Sequence, residues 1–223
     1  VVKLKGEETY ENVRNIAGTI SRVLSKRKVE SVSLTEEKLA NAFRTLEQGH
    51  VVTAFVEGWH LGSYQFVKYK SKKNVFKTTL KIDGDDNTKN FTKLGQIRAE
   101  ATAFSRDLMN EIPSTLNPET FPRLLKEKFK DSAVNVTVYD KDELEKRQMN
   151  GVLTVGRGST HSPAFVELEY RKDESKPLVT LIGKGVTFDT GGISLKRGKD
   201  LSSMRMDMGG AAAVSGAMKL LAD

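Results

Sequence analysis

Short runs of valine, leucine and isoleucine alternate with helical segments from Val134 to the end of the chain. Strands of this kind interleaved with helices favour an α/β fold whose sheet is largely parallel and covered on both faces. The expected strands are residues 134–139, 152–155, 165–170 and 178–183, and the expected helices are residues 141–148 and 211–221. Ligands bind such sheets beyond the carboxyl ends of the strands, and Asp189 follows one of these ends.

The first half of the chain shows helical spacing instead. Apolar residues recur every three or four positions in Glu8–Leu24, after Thr35, in Val51–Phe66 and in Leu94–Met109. Short strands are expected around residues 29–33 and 74–82, before a polar, turn-rich stretch. We therefore expect an N-terminal domain at residues 1–90, a linking helix at 91–112 and a second domain at 113–223.

Cysteine is absent, which excludes disulfides, thiolate metal sites and cysteine nucleophiles. No apolar run reaches the roughly 18 residues that a membrane-spanning helix needs, so we expect a soluble cytoplasmic protein with no membrane partner. The net charge is +7, and the excess is spread out apart from clusters at Lys26–Lys28 and Lys68–Lys73. Scattered charge of this kind favours solvated faces over a nucleic-acid partner.

One stretch concentrates the groups that could do chemistry, "GKGVTFDTGGISLKRGKDLSSMRMDMGGAAA" at residues 183–213. The three histidines of the chain are far apart in sequence, so a histidine-ligated zinc site is not expected. Carboxylates remain as hard oxygen ligands, and Asp189 precedes two glycines that permit tight backbone turns. A long connection could bring Asp207 beside it, just before a helix start of very small residues.

The two lysines of this stretch have alternative interpretations. Lys184 could ligate a metal as a neutral amine, because a divalent ion dominates the local field, or it could form an ion pair with Asp189. Lys196 could hydrogen-bond the oxyanion of a tetrahedral intermediate, or it could be an ordinary surface residue.

The stretches "GKGVTFDTGGISLK" (183–196) and "MRMDMGGAAAV" (204–214) resemble the signature of the cytosolic leucyl aminopeptidases, which are dinuclear metallo-exopeptidases. The stretches "SRDLMNEIPSTLNPETF" and "MNGVLTVGRGS" resemble the entry to their catalytic domain, in the same order. The resemblance covers roughly residues 93–223 and is looser before them. It implies a macro-like N-terminal α/β domain and a zinc-exopeptidase-like α/β/α catalytic domain with a mixed, mostly parallel sheet.

The resemblance also implies roles for five residues. Lys184 and Asp207 would ligate the tighter of two divalent metal ions, Asp189 would bridge both, Lys196 would be the catalytic lysine, and Met204 would line the pocket for the first side chain of the substrate. The metals would be manganese or zinc, with magnesium also compatible. The expected activity is removal of N-terminal leucine and other neutral residues from peptides, by a homohexamer.

The chain departs from this family in one respect. Members carry a further aspartate, a glutamate and an arginine in an "NTDAEGR"-type motif after this helix, and the sequence reaches Asp223 without that motif. We therefore expect an incomplete copy of both domains that is inactive as a 223-residue chain.

Two other functions are open at this point. "VTFDTGG" resembles the Asp-Thr-Gly triplet of aspartic proteases, but the chain has no second such triplet. A nucleic-acid-binding protein or a catalytically dead scaffold of the same fold is the alternative from a different class.

Overall fold

The structure is a computed structural model that describes residues 7–73, 75–198 and 201–223. The chain divides into two units, Val1–Ala103 and Phe104–Asp223, and the division falls inside one long helix, α4 (Asp86–Asn110). The expected domain limits at residues 90 and 113 stay a prediction.

The first unit is built around two helices, α1 (Tyr10–Lys26) and α3 (Gln48–Ser63). Thr9 begins α1 by accepting a hydrogen bond from the backbone N–H of Asn12 at 3.2 Å, which satisfies one donor of the first turn. Buried residues occupy both faces of α3, and Val51, Val52 and Trp59 are among its most enclosed side chains. Helix α3 is therefore the centre of this unit's core.

Glycines let α1 and α3 approach closely. A Cβ atom at Gly58 would lie 2.2 Å from the carbonyl oxygen of Arg14, and one at Gly62 would lie 2.3 Å from that of Gly18. Contacts this short with backbone atoms leave no room for a side chain.

A parallel pair of strands, β1 (Ser31–Thr35) and β2 (Thr79–Asp83), completes the first unit together with α2 (Glu36–Ala42). Ser31 is paired with Thr79, and Thr35 with Asp83. The partly buried residues Leu34 and Ile82 of these strands pack on the core around α3.

The second unit combines helices with an antiparallel pair of strands. Its elements are α5 (Thr120–Phe129), β3 (Val134–Tyr139), α6 (Lys141–Lys146), α7 (Asn150–Gly156), β4 (Phe165–Tyr170), a 3₁₀ helix (Leu201–Met208) and α8 (Gly209–Ala222). Val134 is paired with Tyr170, and Tyr139 with Phe165. The core includes Leu108, Phe121, Phe129, Met208 and Ala212.

The mixed α/β class is confirmed, but two expected strands are wrong. Residues 152–155 lie in α7, where the N–H groups of Val152 and Leu153 both donate to the carbonyl of Met149. A local turn of helix therefore satisfies the backbone of this apolar run. The pairing in the second unit is antiparallel, and the parallel pair of the described residues is β1–β2.

The expected strand at residues 178–183 is also not formed in the described part of the chain. Leu178 and Ile182 are 71% and 93% exposed, so these side chains are not packed among the described residues. A strand needs a neighbour for its backbone hydrogen bonds and a face for its side chains, and apolar composition supplies neither. Asp189 therefore does not follow the end of a sheet strand here.

Among the described helices, none has the length and apolar character needed to cross a membrane.

Candidate metal centre

The backbone of residues 183–184 is held against the start of α8. The N–H of Ala211 donates to the carbonyl of Lys184 at 2.8 Å. A Cβ at Gly183 would lie 2.4 Å from the Gly210 carbonyl oxygen, and one at Gly210 would lie 2.6 Å from the Lys184 nitrogen. The missing side chains of these two glycines therefore permit the contact. The very small residues at the start of α8 therefore pack directly on the backbone of Gly183 and Lys184.

The same contact brings Lys184 to Asp207. Asp207 is the next-to-last residue of the 3₁₀ helix, which leads directly into α8. The Nζ atom of Lys184 lies 3.2 Å from Oδ2 of Asp207. Sequence reasoning offered Asp189 as the ion-pair partner of Lys184, and the structure pairs it with Asp207 instead.

The Oδ2 atom of Asp207 is buried, yet it has no hydrogen-bond partner among the described residues. The Lys184 ammonium is close enough for an ion pair but does not point along a hydrogen bond to this oxygen. A buried carboxylate oxygen without a hydrogen bond is costly unless a cation compensates it.

Asp189 lies in a tight turn that presents both of its oxygens to donors. Its Oδ1 accepts from the Gly191 N–H at 2.8 Å, and its Oδ2 accepts from Lys196 Nζ at 2.9 Å. The Lys196 ammonium, followed by the Gly191 N–H, holds the pKa of Asp189 below its usual range, and Lys184 adds a weaker contribution. Asp189 is thus kept ionised in the form that binds metals.

Glycine conformation makes this turn possible. Gly191 has φ of +93° and Gly192 has φ of +60°, both in the left-handed region that favours glycine. The turn closes with a hydrogen bond of 2.8 Å from the Lys196 N–H to the Thr190 carbonyl. This bond brings Lys196 back beside Asp189.

Lys196 also contacts the fifth predicted residue. Its Nζ lies 3.4 Å from the Met204 sulfur, a weak acceptor. The five predicted residues therefore form two sets of direct contacts, Lys184 with Asp207 and Lys196 with Asp189 and Met204. Lys184 is near enough to Asp189 to contribute to its lowered pKa, and together the two sets are called the cluster here. The cavity of about 420 Å³ beside α6 and α7, lined in part by Arg157 and His161, contains none of them.

The donors of the cluster fit a metal ion only in part. Within residues 7–73, 75–198 and 201–223, no three histidine, cysteine, aspartate or glutamate side chains are grouped to hold a metal. Asp189 and Asp207 supply hard carboxylate oxygens, and Lys184 is the amine that could join them. Hard oxygen donors, and an Asp207 oxygen that accepts no hydrogen bond among the described residues, suit a divalent cation.

Comparisons with known proteins match the chain to one family. Residues 103–223 match the model of the "Cytosol aminopeptidase family, catalytic domain", and residues 4–73 match the N-terminal domain of the same family. A "Probable cytosol aminopeptidase" of Sulfurihydrogenibium sp. is 33% identical over all of this chain and 45% of its own length. One of Rhodococcus opacus is 36% identical over 95% of this chain and 42% of its own length.

Solved structures show the same relationship. The structure "Bottromycin maturation enzyme BotP in complex with Mn" is 29% identical and matches 97% of this chain and 45% of its own, with a TM-score of 0.79. A tomato leucine aminopeptidase mutant matches the fold with a TM-score of 0.76 at 21% identity. The chain spans a little under half the length of the relatives it matches. The chain belongs to the cytosol aminopeptidase family.

Proposed function

We propose that the full-length protein is a metal-dependent aminopeptidase. The observation that carries this proposal is the buried Asp207 oxygen, which has no hydrogen bond among the described residues and lies beside Lys184. The ion pair of Asp189 with Lys196 comes from the same stretch of sequence, and Lys184 contributes to the lowered pKa of Asp189. Membership of the cytosol aminopeptidase family supports the same activity.

Lys184, Asp189 and Asp207 would hold the metal ions, with Asp189 shared between two of them. Manganese, zinc and magnesium all suit this donor set, and manganese is named in the BotP complex. Divalent cations supply Lewis-acid polarisation of a carbonyl and lower the pKa of water. For Lys184 to ligate, its amine must lose its proton, which ends its ion pair with Asp207.

Lys196 would act on the substrate directly. Its ammonium is positioned by Asp189 on one side and the Met204 sulfur on the other. A positive group fixed in this way can hydrogen-bond the oxygen of a peptide carbonyl as negative charge develops there. Met204, next to Lys196, would contact the first side chain of the substrate, which we propose is leucine or another neutral residue.

Exchange of the metal tests this proposal. The full-length protein should release the N-terminal residue of a leucyl peptide, lose this activity after treatment with a strong chelator, and regain it when manganese or zinc is added. Full activity after metal removal verified by elemental analysis would refute metal dependence.

Two substitutions separate the proposed roles. Asp189→Ala should lose metal, whereas Lys196→Ala should keep its metal and lower kcat by about 100-fold, the usual cost of one oxyanion donor. A metal-free Lys196→Ala protein beside a fully loaded Asp189→Ala protein would reverse the assignment.

The remaining proposals rest on the family resemblance. We propose a cytoplasmic homohexamer, for which light scattering of the full-length protein at micromolar concentration should report about six subunits. We also expect residues 1–223 expressed alone to be inactive, and a peptidase assay of that fragment tests this.

A further inference from the structure

Two basic segments that are distant in the sequence are neighbours in the first unit. Residues 22–28 contain four lysines and arginines, residues 68–77 contain five, and neither segment contains an aspartate or glutamate. The N–H of Thr78 donates to Oγ of Ser25 at 3.1 Å, and that Oγ lies 3.3 Å from the Thr78 hydroxyl. These bonds place residues 22–28 beside the end of the second segment, and the two segments together are called the basic patch here (residues 22–28, 68–73 and 75–77).

The junction is anchored in the core of the unit. Thr78 is buried, and its carbonyl accepts a hydrogen bond from the Trp59 indole at 3.2 Å. The Thr79 N–H donates to the Glu30 carbonyl at 2.9 Å, where β1 and β2 begin to pair. The junction at Ser25 and Thr78 is therefore held in place by the strands and by α3.

Most of the cations of the basic patch have no carboxylate partner among the described residues. Seven of its cations are exposed and form no ion pair with a carboxylate among the described residues: Lys26, Arg27, Lys28, Lys70, Lys72, Lys73 and Lys77. Elsewhere in the chain exposed lysines do have such partners, as in Lys130–Glu127 and Lys146–Glu143. Uncompensated cations on one surface attract a polyanion.

Aromatic rings lie among these lysines. Tyr69 is 51% exposed and Phe76 is 41% exposed. The Lys68 ammonium lies 5.5 Å from the Tyr69 ring centroid, so an aromatic ring and a positive charge lie side by side on the surface. Unpaired nucleotide bases can stack on such rings, while the phosphates of the same strand form ionic contacts with the lysines.

We propose that the basic patch binds single-stranded nucleic acid. Lysines alone would serve a DNA duplex or an anionic membrane equally well, because both present only phosphate charge to them. The exposed rings between the lysines favour a single strand, whose bases are free to stack. The sequence suggested solvated faces because it presents the two segments as separate clusters.

Fluorescence anisotropy of the full-length protein with a labelled oligothymidine of about 20 nucleotides tests this proposal. If about five lysines contact phosphates, the affinity should fall about 100-fold between about 50 and 200 mM salt. Neutralising four patch lysines to glutamine should weaken binding at low salt by more than tenfold and flatten the salt dependence. The substituted residues are Lys70, Lys72, Lys73 and Lys77.

The matched control removes the same charge from other exposed lysines, by glutamine substitution of Lys38, Lys89, Lys126 and Lys146. This control should bind almost as the unmodified protein does. Tyr69→Ala should weaken binding by about tenfold while leaving the salt dependence unchanged, because stacking releases no counterions.

Three results would overturn the proposal. The first is no binding at low salt, and the second is an equal loss in the patch variant and in the control, which would make net charge the cause. The third is binding of duplex DNA or of vesicles of phosphatidylserine as tight as that of the oligothymidine, together with no effect of Tyr69→Ala.

Discussion

The α1–α3 pair and the segment of residues 178–198 show opposite relations between sequence and structure. The helices have regular apolar spacing, bury most of it, and contain none of the proposed metal-site residues. The later segment contains three of the five clustered site residues, yet its apolar side chains are largely exposed and it forms neither helix nor strand in its described residues. The α1–α3 pair is stabilised by contacts within its own core. The later segment is positioned by a few backbone contacts with α8.

The largest expected effect concerns buried and exposed leucines in these regions. Leu39 is 4% exposed in the core around α3, and Leu39→Ala should lower the free energy of unfolding by about 3 kcal/mol. Leu178→Ala should change it by less than about 0.5 kcal/mol. Urea denaturation measures both. Equal losses would mean that residues 178–183 are packed, and the contrast between the regions would fail.

Glycine substitution tests the close approach of α1 and α3. Gly58→Ala should cost about 2 kcal/mol, because a clash with the Arg14 backbone outweighs the gain of about 1 kcal/mol in helix propensity. The control is Gly151→Ala in α7, where a Cβ meets nothing within 4 Å, and it should be neutral or stabilising. A stabilising Gly58→Ala would contradict the packing.

The contact between residues 183–184 and α8 can be tested through metal affinity. Gly183→Ala should displace the Lys184 backbone and weaken manganese binding by the full-length protein about tenfold or more, as loss of outer support does at other metal sites. Gly185→Ala should have little effect, since its Cβ would make an ordinary contact of 3.5 Å with Ala211. Calorimetric titration with manganese distinguishes the two. Equal affinities would show that α8 does not position the site.

The smallest expected effect is the cap of α3. The carboxylate of Glu47 accepts from the N–H groups of Gly49 and His50, each at 2.9 Å, and these bonds hold its pKa below the ordinary value of 4.5. A lowered pKa in the folded state means that the stabilisation is complete above pH 4.5 and is lost as the pH falls through the lowered value.

Glu47→Ala should therefore cost about 1 kcal/mol at neutral pH and progressively less in acid. The exposed Glu174, which caps no helix, provides the control substitution to alanine. A loss that stays constant down to about pH 3 would exclude the carboxylate as the cause.

The sequence predicted elements whose stability is local. Helical spacing identified α1, α3 and α4, because each turn of a helix satisfies its own backbone. Residues 152–155 and 178–183 have strand-like composition, but strand formation depends on a partner elsewhere in the chain. Neither run forms a strand, because neither has such a partner among the described residues.

The sequence singled out Lys184, Asp189, Lys196 and Asp207 as candidate site residues, but it did not predict how they pair. Lys184 with Asp207 and Lys196 with Asp189 follow from the Gly183–Gly210 contact and from the left-handed turn at Gly191. Both are properties of three-dimensional backbone geometry. Residue types and spacing left several pairings open.

The most direct test of the account is the metal content of Asp207→Asn in the full-length protein, because this change keeps the shape of the side chain and removes its charge. Asp142→Asn, at an exposed position in the first turn of α6, is the matched control. Elemental analysis after loading with manganese should find two ions per chain in the unmodified protein and in the control, and a clear loss of metal in Asp207→Asn. Full metal content in Asp207→Asn would contradict the claim that residues 183–213 form a metal centre.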